Sequence, residues 1–184
     1  MKLNNILDEL NLDKTINLED IPELDLYMDQ VIQLFENKLG DNKRFEDDKI
    51  LTKTMINNYA KGKLLMDIKN KKYTKEHIIL MCFIYNMKGI LALSDIKIAL
   101  ENIVEKYNNK EMDNEEVRNL YKLYLNGHSK NIQDMKENLD VDLDNLGEAF
   151  EGLDKDEKKM ILAAVLVDKA NMYKRIAEKI LDTK

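Results

Sequence analysis

Lysine residues are concentrated in one short stretch of this sequence. Residues 49–75 contain eight lysines and a single acid, Asp67, which gives the stretch a net charge of +7. The whole chain has a net charge of −6, so the rest of it carries −13. Charge segregation on this scale is typical of a surface that binds a polyanion such as nucleic acid. A solvated lysine-rich surface that binds nothing gives the same pattern, so charge alone leaves both readings open.

The lysines fall in elements that the sequence also predicts. Thr52 is suited to cap a short helix, and Gly62 is predicted to follow its end at the C′ position. The polar residues that then face outward are Lys53, Thr54, Asn57, Asn58 and Lys61. Beyond this helix, residues 64–68 and 72–73 predict a small β-hairpin across 69–71, the one sheet that we expect.

An acidic run at residues 140–151 is the other pattern with chemical meaning. Positions 1, 3, 5 and 12 of a twelve-residue calcium loop would be filled by Asp140, Asp142, Asp144 and Glu151. The sixth position holds Asn145 instead of glycine, and the eighth holds Gly147 instead of an apolar residue. We therefore interpret the run as a solvated linker between helices and predict no metal site.

The sequence contains no arrangement typical of a catalytic or cofactor site. Cys82, the single cysteine, lies in an apolar segment and predicts a small buried core residue. His77 and His128 each stand alone as histidines, and we interpret each as a surface or partly buried helix residue and not as a ligand or base. Phosphate-binding glycine loops, zinc spacings and nucleophile elbows are absent. We expect a protein that is not an enzyme and uses no metal and no cofactor.

Composition predicts a globular chain with one sizeable core. The 184 residues are 44% hydrophobic and 35% charged, which excludes a disordered chain. No apolar run exceeds eight residues, and the N-terminus lacks the apolar region of a signal peptide. We expect a cytoplasmic protein that neither spans nor binds a membrane.

Helical patterns cover most of the chain and predict an all-α fold with a small hairpin. The pair Asp20-x-x-Glu23 is predicted to open a helix that Gly40 ends. Residues 78–85 are apolar on every side and predict a helix in the centre of the core. A further helix begins after Asp113, and Asp154-x-x-Glu157 opens a last one of roughly 28 residues, about 42 Å long.

The last predicted helix carries an apolar stripe with near-heptad spacing. Its members are Leu162, Leu166, Ala170, Tyr173, Ala177 and Ile180. Such a stripe suits pairing with a second copy of the chain. It also suits packing against Val117, Leu120 and Tyr124 of the same chain. We predict a homodimer through this helix.

Three short motifs resemble the DNA-binding domain of the mercury-resistance-regulator (MerR) superfamily. They lie at residues 54–65 (TMINNYAKGKLL), 73–80 (YTKEHIIL) and 88–96 (KGILALSDI). MerR proteins carry a tyrosine before Gly-Leu-Leu, a tyrosine-bearing wing, and Gly-x-Ser-Leu-x-Glu-Ile before a helix. Residues 25–30 together with 51–59 are also similar to a family of uncharacterised proteins from low-GC bacteria, known only as a domain of unknown function.

The MerR resemblance implies a winged helix-turn-helix domain at residues 20–108. A helical extension at 1–19 would precede it, and a helical region at 109–184, suited to dimerisation or partner binding, would follow. Residues 52–61 would be the recognition helix in the major groove of double-stranded DNA, and residues 63–73 the wing on the DNA backbone. The implied DNA contacts are Lys53, Thr54, Asn57, Asn58, Lys61, Lys63, Lys69, Lys71, Lys72 and Tyr73.

The sequence departs from the MerR pattern in two ways, and the second weakens the expected base discrimination. The turn between the first two helices is longer by about nine residues (41–49), and lysine replaces the family's arginines. Lysine lacks the two-pronged geometry with which arginine reads guanine, although asparagine still pairs with adenine. We expect a DNA-binding transcriptional regulator. The alternative is a helical protein-interaction module that does not bind DNA, and lysines grouped on one surface with Asn57 favour the regulator.

Overall fold

A computed structural model describes residues 9–147 and 150–183, except for the side chains of 138–147. The helices in this part of the chain are α1 (Met28–Leu39), α2 (Lys53–Lys61), α3 (Lys75–Met87), α4 (Leu93–Asn108), α5 (Asn114–Gly147) and α6 (Lys155–Asp182). The strands β1 (Leu26–Tyr27) and β2 (Lys72–Tyr73) form one antiparallel sheet, and two short 3-10 helices span Leu18–Asp20 and Gly40–Asn42. The predicted mainly helical fold with a small sheet is confirmed.

The chain divides into two compact units, Met1–Ser129 and Lys130–Lys184. The first unit holds the hydrophobic core, to which α5 contributes the buried side chains of Val117 and Tyr121. The Tyr121 hydroxyl donates a hydrogen bond to the Ile16 carbonyl at 2.6 Å. In the second unit, by contrast, α6 has no buried residue.

Helix α3 lies in the centre of the first unit's core, as its apolar sequence predicts. The side chains from Ile78 to Met81 are fully buried, and Cys82 is 2% exposed. Burial raises the pKa of the Cys82 thiol to about 12, so this thiol is an unreactive core group. Thr74 precedes the helix, and its backbone N–H donates to Nδ1 of His77 at 3.2 Å.

Helix α1 begins later than the sequence pattern indicates. Asp20 ends a 3-10 helix instead of capping α1, and its carboxylate accepts the Asn17 backbone N–H at 2.8 Å. The chain then runs past Pro22 into β1, and α1 starts where the Tyr27 N–H donates to Gln30 Oε1 at 2.8 Å. The predicted end of this helix at Gly40 is confirmed.

The small sheet contains the predicted strand at 72–73, which is β2, but pairs it with β1 and not with residues 64–68. β2 pairs with β1, with Leu26 opposite Tyr73, whereas residues 64–66 are at most 4% exposed and belong to the core. The predicted strand at 64–68 was wrong, because these residues form no strand. Leu64, Leu65 and Met66 are buried in succession, unlike the alternating residues of a hairpin with one exposed face. What remains of the hairpin is a single bridge between Lys69 and Lys72.

The acidic run at 140–151 forms neither the predicted linker nor a calcium loop over its described backbone. That backbone is helical through Gly147, since α5 continues past Gly127. Residues 148–149 and the side chains of 138–147 lie outside the described residues. Within the part that is described, no group of side chains is arranged to hold a metal ion.

Two further predictions concern the N-terminal extension and membrane-spanning helices. Residues 1–8 of the predicted N-terminal helical extension lie outside the described residues, and residues 14–17 form no regular helix. Among the helices described, none is both long and apolar enough to span a membrane.

Candidate nucleic-acid interface

Helix α2 presents the predicted contact side chains on one exposed face. The Thr52 hydroxyl accepts the Met55 backbone N–H at 3.2 Å and caps the helix, while Ile56 and Tyr59 anchor it in the core. At 3.6 residues per turn, side chains four residues apart are offset by only about 40°. The exposed residues along this face are Lys53, Thr54, Asn57, Asn58 and Lys61, which together span an arc of about 140°.

The end of α2 differs from the prediction by one residue. Gly62 has a helical φ of −74°, and Lys63 takes the left-handed C′ position with φ 58°. The Lys63 N–H donates to the Ala60 carbonyl at 3.1 Å, and the Leu64 N–H donates to the Tyr59 carbonyl at 3.0 Å. A Cβ on Gly62 would lie 2.6 Å from Leu64 Cδ1. The lack of a Cβ at Gly62 therefore allows Leu64 to pack against it, and Lys63 adopts the left-handed conformation instead.

The turn before β2 places lysines at its tip. Asn70 and Lys71 both have positive φ, 53° and 58°, and the Lys72 N–H donates to the Lys69 carbonyl at 3.0 Å. This is a type I′ turn, whose second central position usually holds glycine. Lysine in this backbone conformation costs about 1 kcal/mol. Lys69 and Lys71 are exposed and Lys72 is half-buried. We call residues 69–72 the wing turn.

The first turn of α1 connects α2 to the wing turn. The Lys53 ammonium lies 2.8 Å from Asp29 Oδ1. The Lys72 ammonium lies 5.3 Å from the ring centroid of Tyr27, a favourable cation–π distance. Tyr27 and Asp29 are two residues apart in the chain, so the ammonium groups of Lys53 and Lys72 both lie next to the start of α1.

The family model for the domain of unknown function (DUF1836) matches residues 16–124, more than half of the chain. The chain belongs to this family. The predicted likeness to such a domain is confirmed, and the match contains both strands and all of α1 to α4. No curated protein and no solved structure matches the chain.

The predicted DNA contact Tyr73 and the lysine Lys75 of the stretch 49–75 are both buried. Tyr73 is 4% exposed, and its ring packs edge-on against His77 with centroids 6.0 Å apart. The prediction of Tyr73 as a DNA contact is therefore corrected, because pairing of β2 with β1 turns this ring into the core. Lys75 is 8% exposed, and its ammonium lies 2.7 Å from Glu23 Oε1.

Most of the exposed lysines of residues 49–75 have no acidic partner among the described residues. Among the described residues, no carboxylate lies within 4.0 Å of the ammonium groups of Lys61, Lys63, Lys69 and Lys71. Of the described lysines on this face, Lys53 is the one that forms such a pair. The face can therefore attract a polyanion without first breaking strong internal ion pairs.

Sequence reasoning missed two residues that shape this surface. Tyr27 is 55% exposed beneath the Lys72 ammonium, and the Asp29 side chain is 75% exposed beside Lys53. Their positions depend on the pairing of β1 with β2, which joins segments 45 residues apart. No local pattern in the sequence signals such a pairing.

Proposed function

We propose that this protein binds double-stranded DNA through α2 and the wing turn and acts as a transcriptional regulator resembling the MerR type. The observation that carries the proposal is the exposed stripe of α2, in which Lys53, Asn57 and Lys61 follow one another at four-residue intervals. The element order supports it as well. A helix, a loop, a short basic helix, a lysine-bearing turn and a buried helix correspond to the order that the MerR resemblance implies.

The dimensions of α2 suit the major groove. An α-helix with its side chains is about 10 to 12 Å in diameter and fits a major groove about 12 Å wide. Asn57 lies midway between Lys53 and Lys61 along α2. In this position the Asn57 amide pairs with adenine, while the two lysines reach phosphates at the edges of the groove. Asn57 then supplies base preference, and the lysines supply affinity that is independent of sequence.

The wing turn adds contacts to the DNA backbone. Its three lysines end in flexible ammonium groups that neutralise phosphates but do not read bases. The Tyr27 ring orients Lys72, whereas the left-handed backbone of Lys71 fixes the direction from which that side chain leaves the turn. Binding should therefore depend strongly on salt, because each neutralised phosphate releases a counterion.

A salt-dependent titration tests this function. The full chain is titrated into labelled duplex DNA from upstream of its own gene and into an unrelated duplex, at several salt concentrations. We expect log K to fall linearly with log salt, with a slope of about −0.9 for each phosphate contact. Lys71→Ala should make the slope shallower by about one unit for both duplexes, whereas the control Lys159→Ala on α6 should leave it unchanged. Absence of salt-dependent binding by the wild-type chain would refute the proposal.

A second proposal concerns α6, which we expect to pair with a second copy of the chain. From Leu166 to Ile180, this helix exposes five large apolar side chains within an arc of about 120°. These are Leu166 (43% exposed), Met172 (56%), Tyr173 (74%), Ile176 (57%) and Ile180 (65%). At about 100 Å² each, they leave on the order of 500 Å² of apolar surface, enough to mark an interaction site.

The spacing of these side chains favours a second copy as the partner. Leu166, Tyr173 and Ile180 repeat every seven residues, and Ile176 lies three after Tyr173, as in a helix that pairs with its like. Sedimentation equilibrium of the full chain should show a dimer at micromolar concentration. Leu166→Asp should give a folded monomer, because this side chain is not buried. A wild-type monomer would instead favour an interaction module for other proteins.

A further inference from the structure

We infer that the DNA-binding surface continues beyond the wing turn to Lys110, which contacts the DNA backbone. This extension rests on the proposed DNA binding. It adds a residue outside the stretch 49–75 and outside both α2 and the wing turn. Three observations support it: the backbone conformation of Lys110, the surface that joins it to α2, and the ion pairing of the charged side chains around it.

Lysine recurs at backbone positions that favour glycine. In the described part of the chain, the non-glycine residues with positive φ are Asn11 (49°), Lys63 (58°), Asn70 (53°), Lys71 (58°) and Lys110 (62°). Asparagine tolerates this conformation, but lysine is unfavourable there. Two of the three lysines, Lys63 and Lys71, belong to the candidate interface. Strained backbone conformations cluster at functional sites.

Lys110 takes the same role at the end of α4 that Lys63 takes at the end of α2. The Lys110 N–H donates to the Tyr107 carbonyl at 3.1 Å, and the next N–H, of Glu111, donates to the Lys106 carbonyl at 2.8 Å. This pair of hydrogen bonds defines a helix end at which glycine is the usual residue. The fold by itself would thus be served better by glycine at position 110.

Two adjoining cavities connect Lys110 to the candidate interface. Lys69 of the wing turn and Lys110 line one cavity of about 720 Å³. Lys63, at the end of α2, lines a second one of about 710 Å³. Both cavities share Asp67 and Asn108, and the Asp67 N–H donates to Asn108 Oδ1 at 3.0 Å. A continuous concave surface therefore runs from the end of α2 past the wing turn to Lys110.

The charges lining the first cavity leave its two lysines available. Asp113 accepts a backbone N–H in the first turn of α5 at 2.9 Å, and Glu115 pairs with Lys122 at 3.1 Å. Within the described residues, the ammonium groups of Lys69 and Lys110 have no carboxylate within 4.0 Å. Asp67 and Asp113 have no basic side chain within 4.0 Å among the described residues, and Asp113 is engaged with the backbone of α5. Lys69 and Lys110 are therefore available to a single phosphate at the edge of a longer DNA contact.

Substitution of Lys110 by glycine separates contact from strain. In the full chain, Lys110→Gly should make the salt slope of duplex binding shallower by about one unit, equally for every DNA sequence. The same variant should raise the midpoint of thermal unfolding by about 2 to 4 °C, because glycine relieves the left-handed backbone. Lys110→Arg should keep the wild-type slope.

A matched control is provided by Asn11, which has positive φ but lines neither cavity. Asn11→Gly should leave the slope unchanged. A normal slope for Lys110→Gly, together with a reduced slope for Lys71→Ala, would overturn the extension and leave the proposed function intact. A lower unfolding midpoint for Lys110→Gly would also overturn it, since the lysine would then serve the fold. Failure of the wild-type chain to bind DNA would remove both proposals.

Discussion

Removal of the Asp29 charge should strengthen DNA binding. The Asp29 carboxylate lies 2.8 Å from the Lys53 ammonium, at the end of the α2 stripe. Both side chains are well exposed, at 75% and 65%, so the pair contributes at most about 1 kcal/mol to stability. In the complex, this carboxylate would face the phosphates that Lys53 is proposed to reach. Asp29→Asn therefore frees a lysine and removes a repulsive charge at little cost to the fold.

The size of this effect follows from distance and screening. A carboxylate about 7 Å from a phosphate is repelled by roughly 0.6 kcal/mol in water, and salt reduces this further. Release of Lys53 from its ion pair adds an amount of similar size. We expect Asp29→Asn to tighten duplex binding by about 0.5 to 1 kcal/mol, a factor of roughly two to five at moderate salt. The salt slope should become steeper by up to about one unit.

The measurement compares two variants of the full chain that lose the same charge. Asp156 forms an equivalent exposed pair with Lys159 at 3.3 Å on α6, outside the candidate interface. Asp156→Asn should therefore alter the affinity much less than Asp29→Asn at each salt concentration. Equal affinity gains in the two variants would mean that only net charge matters. Weaker binding by Asp29→Asn would show that the carboxylate positions Lys53 for binding, and would refute the idea that it competes with phosphate.

Three further predictions address the interface, the core and pH. Asn57→Ala should weaken binding to a preferred site by about 1 to 3 kcal/mol and leave binding to unrelated DNA unchanged, whereas an equal loss on all duplexes would make it a backbone contact. Arg118→Met should lower the free energy of unfolding in urea by about 3 to 5 kcal/mol, because Glu76, 1% exposed and 2.9 Å from Arg118, would remain buried without its partner; an unchanged urea midpoint would contradict this. Burial lowers the pKa of His77, so below pH of about 6.5 the unfolded chain takes up a proton that the folded chain resists, and stability falls. His77→Gln should reduce this loss of stability relative to His128→Gln, and equal pH profiles for the two variants would count against it.

The parts of the fold that could be predicted are those set by local periodicity. In α2, the capping hydroxyl of Thr52 and the inward side chains of Ile56 and Tyr59 determine which residues face outward. The same holds for α3, where continuous apolar sequence requires a central position in the core. The exposed face of the candidate site was therefore available from the sequence.

The pairing of the sheet could not be predicted in this way. β1 and β2 are two residues long, too short for an alternating pattern, and their partners are far apart in the chain. The pairing decides that Tyr73 is buried and that Tyr27 lies beneath Lys72. Site residues whose placement depends on non-local contacts are thus the ones that sequence reasoning assigned wrongly or missed.

The turns reveal a different limit. The rule that glycine occupies the left-handed position after a helix assigned that role to Gly62. Gly62 instead has a helical φ, and its lack of a Cβ allows the close approach of Leu64. The left-handed conformation is adopted by Lys63 instead, and Lys71 adopts it in the wing turn. Glycine can satisfy either a backbone angle or a steric limit, and a single sequence does not say which. Lys63 and Lys71 both lie on the surface proposed to bind DNA. The fold alone does not explain why lysine, with its strained backbone, occupies these two positions.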